Sequence, residues 1–354
     1  MNYALIGSGR ISTNHIKACL ENNIKIVAIC DVSEKNMQTL LEKHDLQDDK
    51  SIKRYTDYKQ MLDCEKIDFV SIATESGLHA QIALHCIKKG VHTIIEKPMA
   101  MSIEDCDKII ALSNEKNVKV CACHQNRFNA SVQKMRTALD AGDFGRISHA
   151  TIHVRWNRNK DYYTQAPWRG TWEQDGGALM NQCIHGIDLL RWTLGDEVEE
   201  VYGVTRQVFH DYLECEDLGT AIVKFKNGVV GTIEGTTNVY PQNLEETLYV
   251  FGEKGTVKLG GKSVNSIDVW DFKDKADNLA GFEEKTENIY GNGHTSVWKD
   301  FIEAIKDDKK PYIDAYAGKR AVELILAIYK SSFEKKVVKL PLTDCESIEF
   351  KGKF

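Results

Sequence analysis

The sequence predicts an α/β protein: an N-terminal doubly wound parallel sheet, then an α+β domain with a large open, mostly antiparallel sheet. Three observations predict it. Short apolar runs alternate with amphipathic segments through the first third of the chain. After about residue 145, strand-like runs instead follow one another with turn residues between them. The chain also has 354 residues, more than one ordinary core holds, which implies two domains. The division is expected at 123/124, giving one domain over 1–123 and a second over 124–354.

In the first third, strands are expected at 3–6, 25–29, 67–73, 91–95 and 118–123. Helices are expected between them at 11–21, 33–43, 78–89 and 103–116. Strands alternating with helices imply parallel pairing through right-handed crossovers. The run IDFVSIA (67–73) is apolar almost throughout, which suits a strand covered on both faces. Beyond residue 145, strands are expected at 147–155, 201–208, 220–225, 229–235, 247–251 and 255–259. Asn227-Gly228 and the stretch 253–255 read as hairpin turns. Helices at 129–140, 178–194, 297–306 and 318–333 flank or interrupt this sheet.

Bulk properties exclude several classes. A formal charge of −6 gives no reason to expect a nucleic-acid partner. No apolar run approaches the roughly 20 residues that cross a bilayer, so no membrane partner is expected either. Met1 leads straight into an apolar strand without a leader pattern. The ten cysteines are scattered and include no CxxC pair, the usage of reduced, buried thiols in a cytoplasmic protein. Cys121, Cys123 and His124 lie together, but in a strand alternate residues face opposite sides, and no metal site is expected there.

The run YALIGSGRISTNH places Gly7-Ser8-Gly9 after a strand and before a helix. Gly7 permits the tight turn, Gly9 lets the backbone approach a pyrophosphate, and the helix starting near Ile11 offers free N–H groups and a positive dipole end. Ser12 holds the third glycine position. Asp31 ends the second strand, where a carboxylate accepts hydrogen bonds from an adenosine ribose and repels a 2′-phosphate. The expected cofactor is therefore NAD, with Arg10 as a partly offsetting charge.

The motif GSGRI…H, the tripeptide Glu96-Lys97-Pro98 and a later Gly-Gly…His helix together resemble the Gfo/Idh/MocA oxidoreductases over essentially the whole chain. A finer likeness is to the UDP-N-acetyl-2-amino-2-deoxyglucuronate 3-dehydrogenases of the WlbA/WbpB type. It is carried by HQNRFN (124–129), YYTQAPWRGTWEQDGGALMNQ (162–182), His185 and Asp188. The resemblance implies a Rossmann domain, then a sheet-bearing domain through which subunits assemble as dimers or tetramers. It implies Lys97, His185 and Asn181 as catalytic residues, with Asn181 standing where many sugar-oxidising members have Asp. It further implies cofactor contacts from Gly7, Gly9, Arg10, Ile11, Asp31, Thr74, His79, Glu96, Lys97, Gln125, Trp168 and Arg169. Lys97, Arg127, Asn129, Arg158, Tyr163, Asn181 and His185 are carried over as substrate contacts. Thr74-Glu75 replaces the Thr-Pro common after the third major strand.

Two patterns point the same way from the residues alone. In ALMNQCIHGIDLLRWTL, Asn181, His185 and Asp188 fall at i, i+4 and i+7 and so line one face of a mostly apolar helix. A polar stripe of this kind is either a hydrogen-bonded trio or the wall of a polar cleft. The stretch 155–172 carries Arg155, Arg158, Lys160 and Arg169 against the single acid Asp161. Its aromatics are Trp156, Tyr162, Tyr163, Trp168 and Trp172. Guanidinium groups pair bidentately with phosphates and carboxylates, and aromatic faces stack on bases and sugars. The expected activity is NAD-dependent oxidation of the C3 hydroxyl of a UDP-N-acetylglucosaminuronate, supplying surface polysaccharide synthesis. An inositol or free-aldose dehydrogenase and a non-catalytic NAD-binding sensor are the alternatives, and either Lys97 or His185 can be the proton acceptor.

Overall fold

The computed structural model describes residues 1–195, 197–273, 275, 278–285 and 292–353. The chain forms two compact units. The first comprises 1–100, 104–124 and 294–319, and the second 101–103, 125–293 and 320–354.

The first unit contains a six-stranded sheet ordered β3-β2-β1-β4-β5-β6. The strands are β1 (Asn2–Ile6), β2 (Lys25–Cys30), β3 (Lys53–Tyr55), β4 (Phe69–Ile72), β5 (His92–Ile95) and β6 (Val120–Ala122). Every pairing is parallel, the doubly wound order in which a nucleotide binds at the switch between β1 and β4. All four residues of β4 are buried, as expected of a strand covered on both faces. Helices α1 (Ser12–Glu21), α2 (Glu34–Lys43), α3 (Tyr58–Cys64), α4 (His79–Lys88) and α5 (Ile103–Lys116) supply the crossovers. Ser33 and Asp57 start α2 and α3 by accepting the N–H groups of Asn36 and Lys59, which satisfies donors that a helix start leaves unpaired. Strand β3 is three residues of mostly exposed KRY, and no apolar pattern announces it.

A division expected once, at 123/124, is corrected at the other end of the sequence, because residues 294–319 return to the first unit. The reason is aromatic. Trp298 and Phe301 are fully buried. Trp298 meets the Tyr3 and Phe69 rings at 4.5 and 5.2 Å, and Phe301 meets Phe69 at 6.0 Å. Burying one side chain of this size contributes about 1.5–3 kcal/mol, so the helix Gly293–Lys306 that carries both has as strong a claim on the first core as the early crossovers have.

The second unit carries a nine-stranded sheet. Its strands are β7 (Ile147–Arg155), β8 (Val198–Arg206), β9 (Leu218–Phe225), β10 (Val230–Thr236), β11 (Glu245–Gly252), β12 (Gly255–Gly260), β13 (Ser266–Phe272), β14 (Phe282–Glu283) and β15 (Val338–Lys339). Their order is β14-β13-β12-β11-β7-β10-β9-β8-β15. Only the β7–β10 pair is parallel among those described. The β9–β10 hairpin turns at Asn227-Gly228, where Gly228 has φ +85°. Burial alternates along β9, so one face of the sheet packs and the other is open. Against the packed face lie α8 (Gly177–Asn181) and α9 (Ile184–Leu194). These were expected as one helix over 178–194. The structure breaks it at Gln182-Cys183, where both N–H groups bond to the single carbonyl of Ala178.

Candidate active site

In the first unit, Gly7 closes the turn after β1 with φ +94°, and a Cβ there would lie 2.5 Å from the Ala73 carbonyl oxygen. No side chain replaces it without moving the neighbouring strand end. At Gly9 the same test meets open space, as the approach of a pyrophosphate requires. Helix α1 follows with no acidic residue in its first turn and no side-chain cap, so its positive end is not neutralised from within. Asp31 folds back at the end of β2: one carboxylate oxygen takes the Ser8 N–H at 2.6 Å and the other the Ser33 N–H at 2.8 Å. The acid is thus oriented at the glycine loop, and the residues present fit a dinucleotide.

Lys97 follows β5, half-buried, and its bond to Pro98 is cis. Two residues expected to touch cofactor beside it are otherwise engaged. His79 is 1% exposed, with Nδ1 2.7 Å from the Pro98 carbonyl and Nε2 3.2 Å from that of Thr74. It ties two loops together. Glu96 is buried with Oε1 3.0 Å from His15 Nε2 and 3.3 Å from His294 Nε2. Cys123 joins this group, and one polar atom from each of His15, Glu96, Cys123 and His294 lies within 4.8 Å of the others. Strand β6 ends at Ala122, so Cys123 lies beyond it, and its companions are not the Cys121 and His124 weighed from sequence.

In the second unit, Asn181, His185 and Asp188 each have a polar partner. The Asn181 amide donates to Asp175, and its carbonyl oxygen accepts from Gln182 at 2.8 Å. A carboxylate therefore stands beside the neutral Asn181, supplied six residues upstream. His185 has the Gln125 amide nitrogen 3.3 Å from its Nε2. Asp188 takes Arg127 in a bidentate pair at 2.7 and 2.6 Å, with both side chains almost fully buried. Arg127 was expected to bind substrate. Its charge is paired with Asp188, and its guanidinium lies 5.2 Å over Trp192. Asn129, also expected to contact substrate, is 1% exposed and tethers the Ser263 carbonyl at 2.8 Å.

The basic stretch 155–172 divides the same way. Arg155 is held by Glu234 at 2.7 and 2.6 Å and by Glu245 at 2.7 Å. Trp172 is fully buried against Tyr329. Arg158 is different. It is 8% exposed, yet its hydrogen bonds run only to neutral oxygens: Gln182 at 2.9 Å, the Asn157 carbonyl at 2.6 Å and Asn243 at 3.0 Å. It lies 5.0 Å from the ring centres of both Trp156 and Tyr162. Arg169 continues the stack, 4.1 Å over Tyr162 and 5.6 Å over Trp168, and bonds to the Tyr162 carbonyl and Gln165. Among the described residues neither guanidinium has a carboxylate partner. Tyr163 is buried, its hydroxyl 3.4 Å from Thr237, and burial pushes its pKa up.

The chain is similar to known proteins over nearly its whole length. Residues 1–124 match the model of an oxidoreductase family with an NAD-binding Rossmann fold, and residues 132–258 match the GFO/IDH/MocA C-terminal domain. The WlbA dehydrogenase of Bordetella pertussis, solved with NADH and UDP-GlcNAcA, is 35% identical with a TM-score of 0.85, over 96% of this chain and 98% of that one. The WlbA enzyme of Chromobacterium violaceum, solved with the same two ligands, is 33% identical with a TM-score of 0.86, over 97% and 96%. Myo-inositol 2-dehydrogenase of Thermotoga maritima is 26% identical over 352 residues, covering 96% of this chain and 98% of that one. This chain is an NAD-dependent sugar or polyol dehydrogenase that belongs to the GFO/IDH/MocA oxidoreductase family.

Proposed function

We propose that this enzyme oxidises the C3 hydroxyl of a UDP-N-acetylglucosaminuronate-type nucleotide sugar to the 3-keto sugar, for surface polysaccharide synthesis. One observation carries the reading: Arg158 and Arg169 lie on a ladder of aromatic rings without a counter-charge among the described residues. A buried guanidinium without a carboxylate is costly by itself, and a diphosphate or uronate supplies the planar, bidentate acceptor it lacks. Likeness to two enzymes solved with UDP-GlcNAcA, over nearly the full length of each, supports the same substrate class.

Gly7, Gly9 and the start of α1 hold the cofactor, with Asp31 toward its ribose. When bound, NAD supplies the hydride acceptor. Lys97 and His185 divide the remaining work, one taking the hydroxyl proton and the other polarising the forming carbonyl. Gln125 fixes the His185 ring and Asp175 fixes the Asn181 amide, so both groups are oriented before substrate arrives. We also infer that Tyr202, Val204 and Ile222, which are 44%, 45% and 57% exposed on the open sheet face, are covered by another copy of the chain.

The test is hydride transfer followed at the reduced-cofactor absorbance band, with UDP-N-acetylglucosaminuronate, myo-inositol and glucose compared at equal concentration. Turnover of the nucleotide sugar alone is expected. The alternative, a polyol dehydrogenase, is favoured by the full-length likeness to the Thermotoga enzyme, and turnover of the uncharged polyols alone establishes it.

A further inference from the structure

Behind Lys97, four buried side chains from separate stretches of the first unit close on one point. His15 comes from α1, Glu96 follows β5, Cys123 follows β6, and His294 lies on the helix Gly293–Lys306. Their exposures are 0%, 4%, 0% and 4%. Two chemistries gather such a set. A zinc ion takes nitrogen, sulfur and oxygen ligands, and a buried carboxylate needs donors to compensate its lost water.

Trp298 decides between them. Its indole N–H only donates, and it donates to His15 Nδ1 at 3.2 Å. Nδ1 is therefore the bare nitrogen, and Nε2 carries the hydrogen that points at Glu96. A metal on Nε2 would move that proton to Nδ1 and set two donors against each other. The cluster is an anchor, not a ligand set.

What it anchors is the peptide of Lys97. Glu96 Oε1 faces the two imidazoles, while Oε2 accepts the backbone N–H of Lys97 at 3.2 Å. On the far side of the lysine, His79 holds the Pro98 carbonyl at 2.7 Å. We propose that the Glu96 carboxylate, gripped by His15 and His294, is a positioning residue for Lys97: it fixes the peptide from which the lysine projects and places a negative charge behind it. This rests on the reading that Lys97 acts on the substrate hydroxyl. Burial would raise the Glu96 carboxyl, but the two histidines outweigh it and hold it well below its usual range. His15 is kept neutral chiefly by burial. The other titratable groups facing the cluster are Cys123, His79 and Lys97.

Glu96→Gln keeps the shape and removes the charge. We expect kcat to fall roughly tenfold to a hundredfold through misplacement of the lysine, with KM for NAD near wild type. The acid limb of the kcat–pH profile, which reports the base, moves to lower pH, because an ammonium loses its stabilising anion. His294→Gln, which retains an N–H at the Nε2 position, keeps the wild-type profile, whereas His294→Leu, which loosens Glu96 without removing it, lowers kcat with a smaller movement of the limb than Glu96→Gln. A wild-type kcat and an unmoved limb in Glu96→Gln would overturn the proposal. Lys97→Ala separates the layers. If it is inactive while Glu96→Gln is unaffected, the anchor alone fails; if it turns over normally, the reading of Lys97 fails and takes the anchor with it. Should the variants not fold, nitrogen-15 histidine NMR of the intact enzyme still decides. His15 protonated at Nε2 is expected; protonation at Nδ1, or stoichiometric zinc in the purified protein, contradicts the account.

Discussion

Arg127 and Arg158 lie in the same unit, are both more than nine-tenths buried, and are stacked on tryptophan rings at 5.2 and 5.0 Å. Arg127 is locked to Asp188, whereas among the described residues Arg158 hydrogen-bonds to neutral oxygens. A third buried ionisable group, Glu246, takes another route. It is 1% exposed, its carboxylate has the Asn126 amide at 3.5 Å and no ion pair among the described residues, and burial pushes its pKa up to about 8. A buried charge can be paired, neutralised by a proton, or left for a ligand. Residue type does not distinguish these outcomes; the partner does.

The largest expected effect comes from breaking the paired case. Arg127→Leu leaves Asp188 as a lone buried carboxylate, and unfolding free energy should drop by roughly 3–5 kcal/mol. Denaturant titration measures it, and a value near wild type would show that the pair is dispensable. The protonated case comes next. Glu246 has a raised pKa when folded, so the stability from its neutral form is present in full below the carboxylate's ordinary pKa. That stability is lost as pH rises through about 8. Glu246→Gln, uncharged throughout, should therefore gain stability relative to wild type from pH 5 to pH 9 in thermal melts. A constant difference between the two proteins would refute the assignment. Smaller again is the effect at Asp31, which accepts the Ser8 and Ser33 N–H groups and the Asn36 amide and has no ion pair among the described residues. Asp31→Ser should raise the NADP/NAD ratio of kcat/KM by about tenfold, the removal of one repulsive contact worth about 1.4 kcal/mol. An unchanged ratio would mean that the carboxylate does not read the ribose.

Much of the first unit was legible because its signals are local. The glycine turn, Asp31 at the end of β2 and strand–helix alternation each occupy one short stretch, and the parallel order follows from chain geometry. Short, half-exposed elements such as β3 and β15 carry no apolar period and were not expected. The break at Gln182-Cys183 was hidden because both residues continue an apolar helical pattern. Sites assembled across the chain were hidden most. Glu96 and His294 are 198 residues apart, and Arg127 and Asp188 are 61 apart. The resemblance thus carried over Arg127 and Arg158 alike as substrate contacts, although of the two only Arg127 has a carboxylate partner among the described residues.

The central claim is that Arg158 awaits an anionic substrate. The direct measurement is kcat/KM for UDP-N-acetylglucosaminuronate in Arg158→Met beside wild type, with thermal stability followed in parallel. The account predicts a loss of roughly tenfold to a hundredfold, the 1.5–3 kcal/mol of a hydrogen bond to a charged group, with little change in melting temperature. Equal kcat/KM in the two proteins, or a loss matched by unfolding, would contradict it.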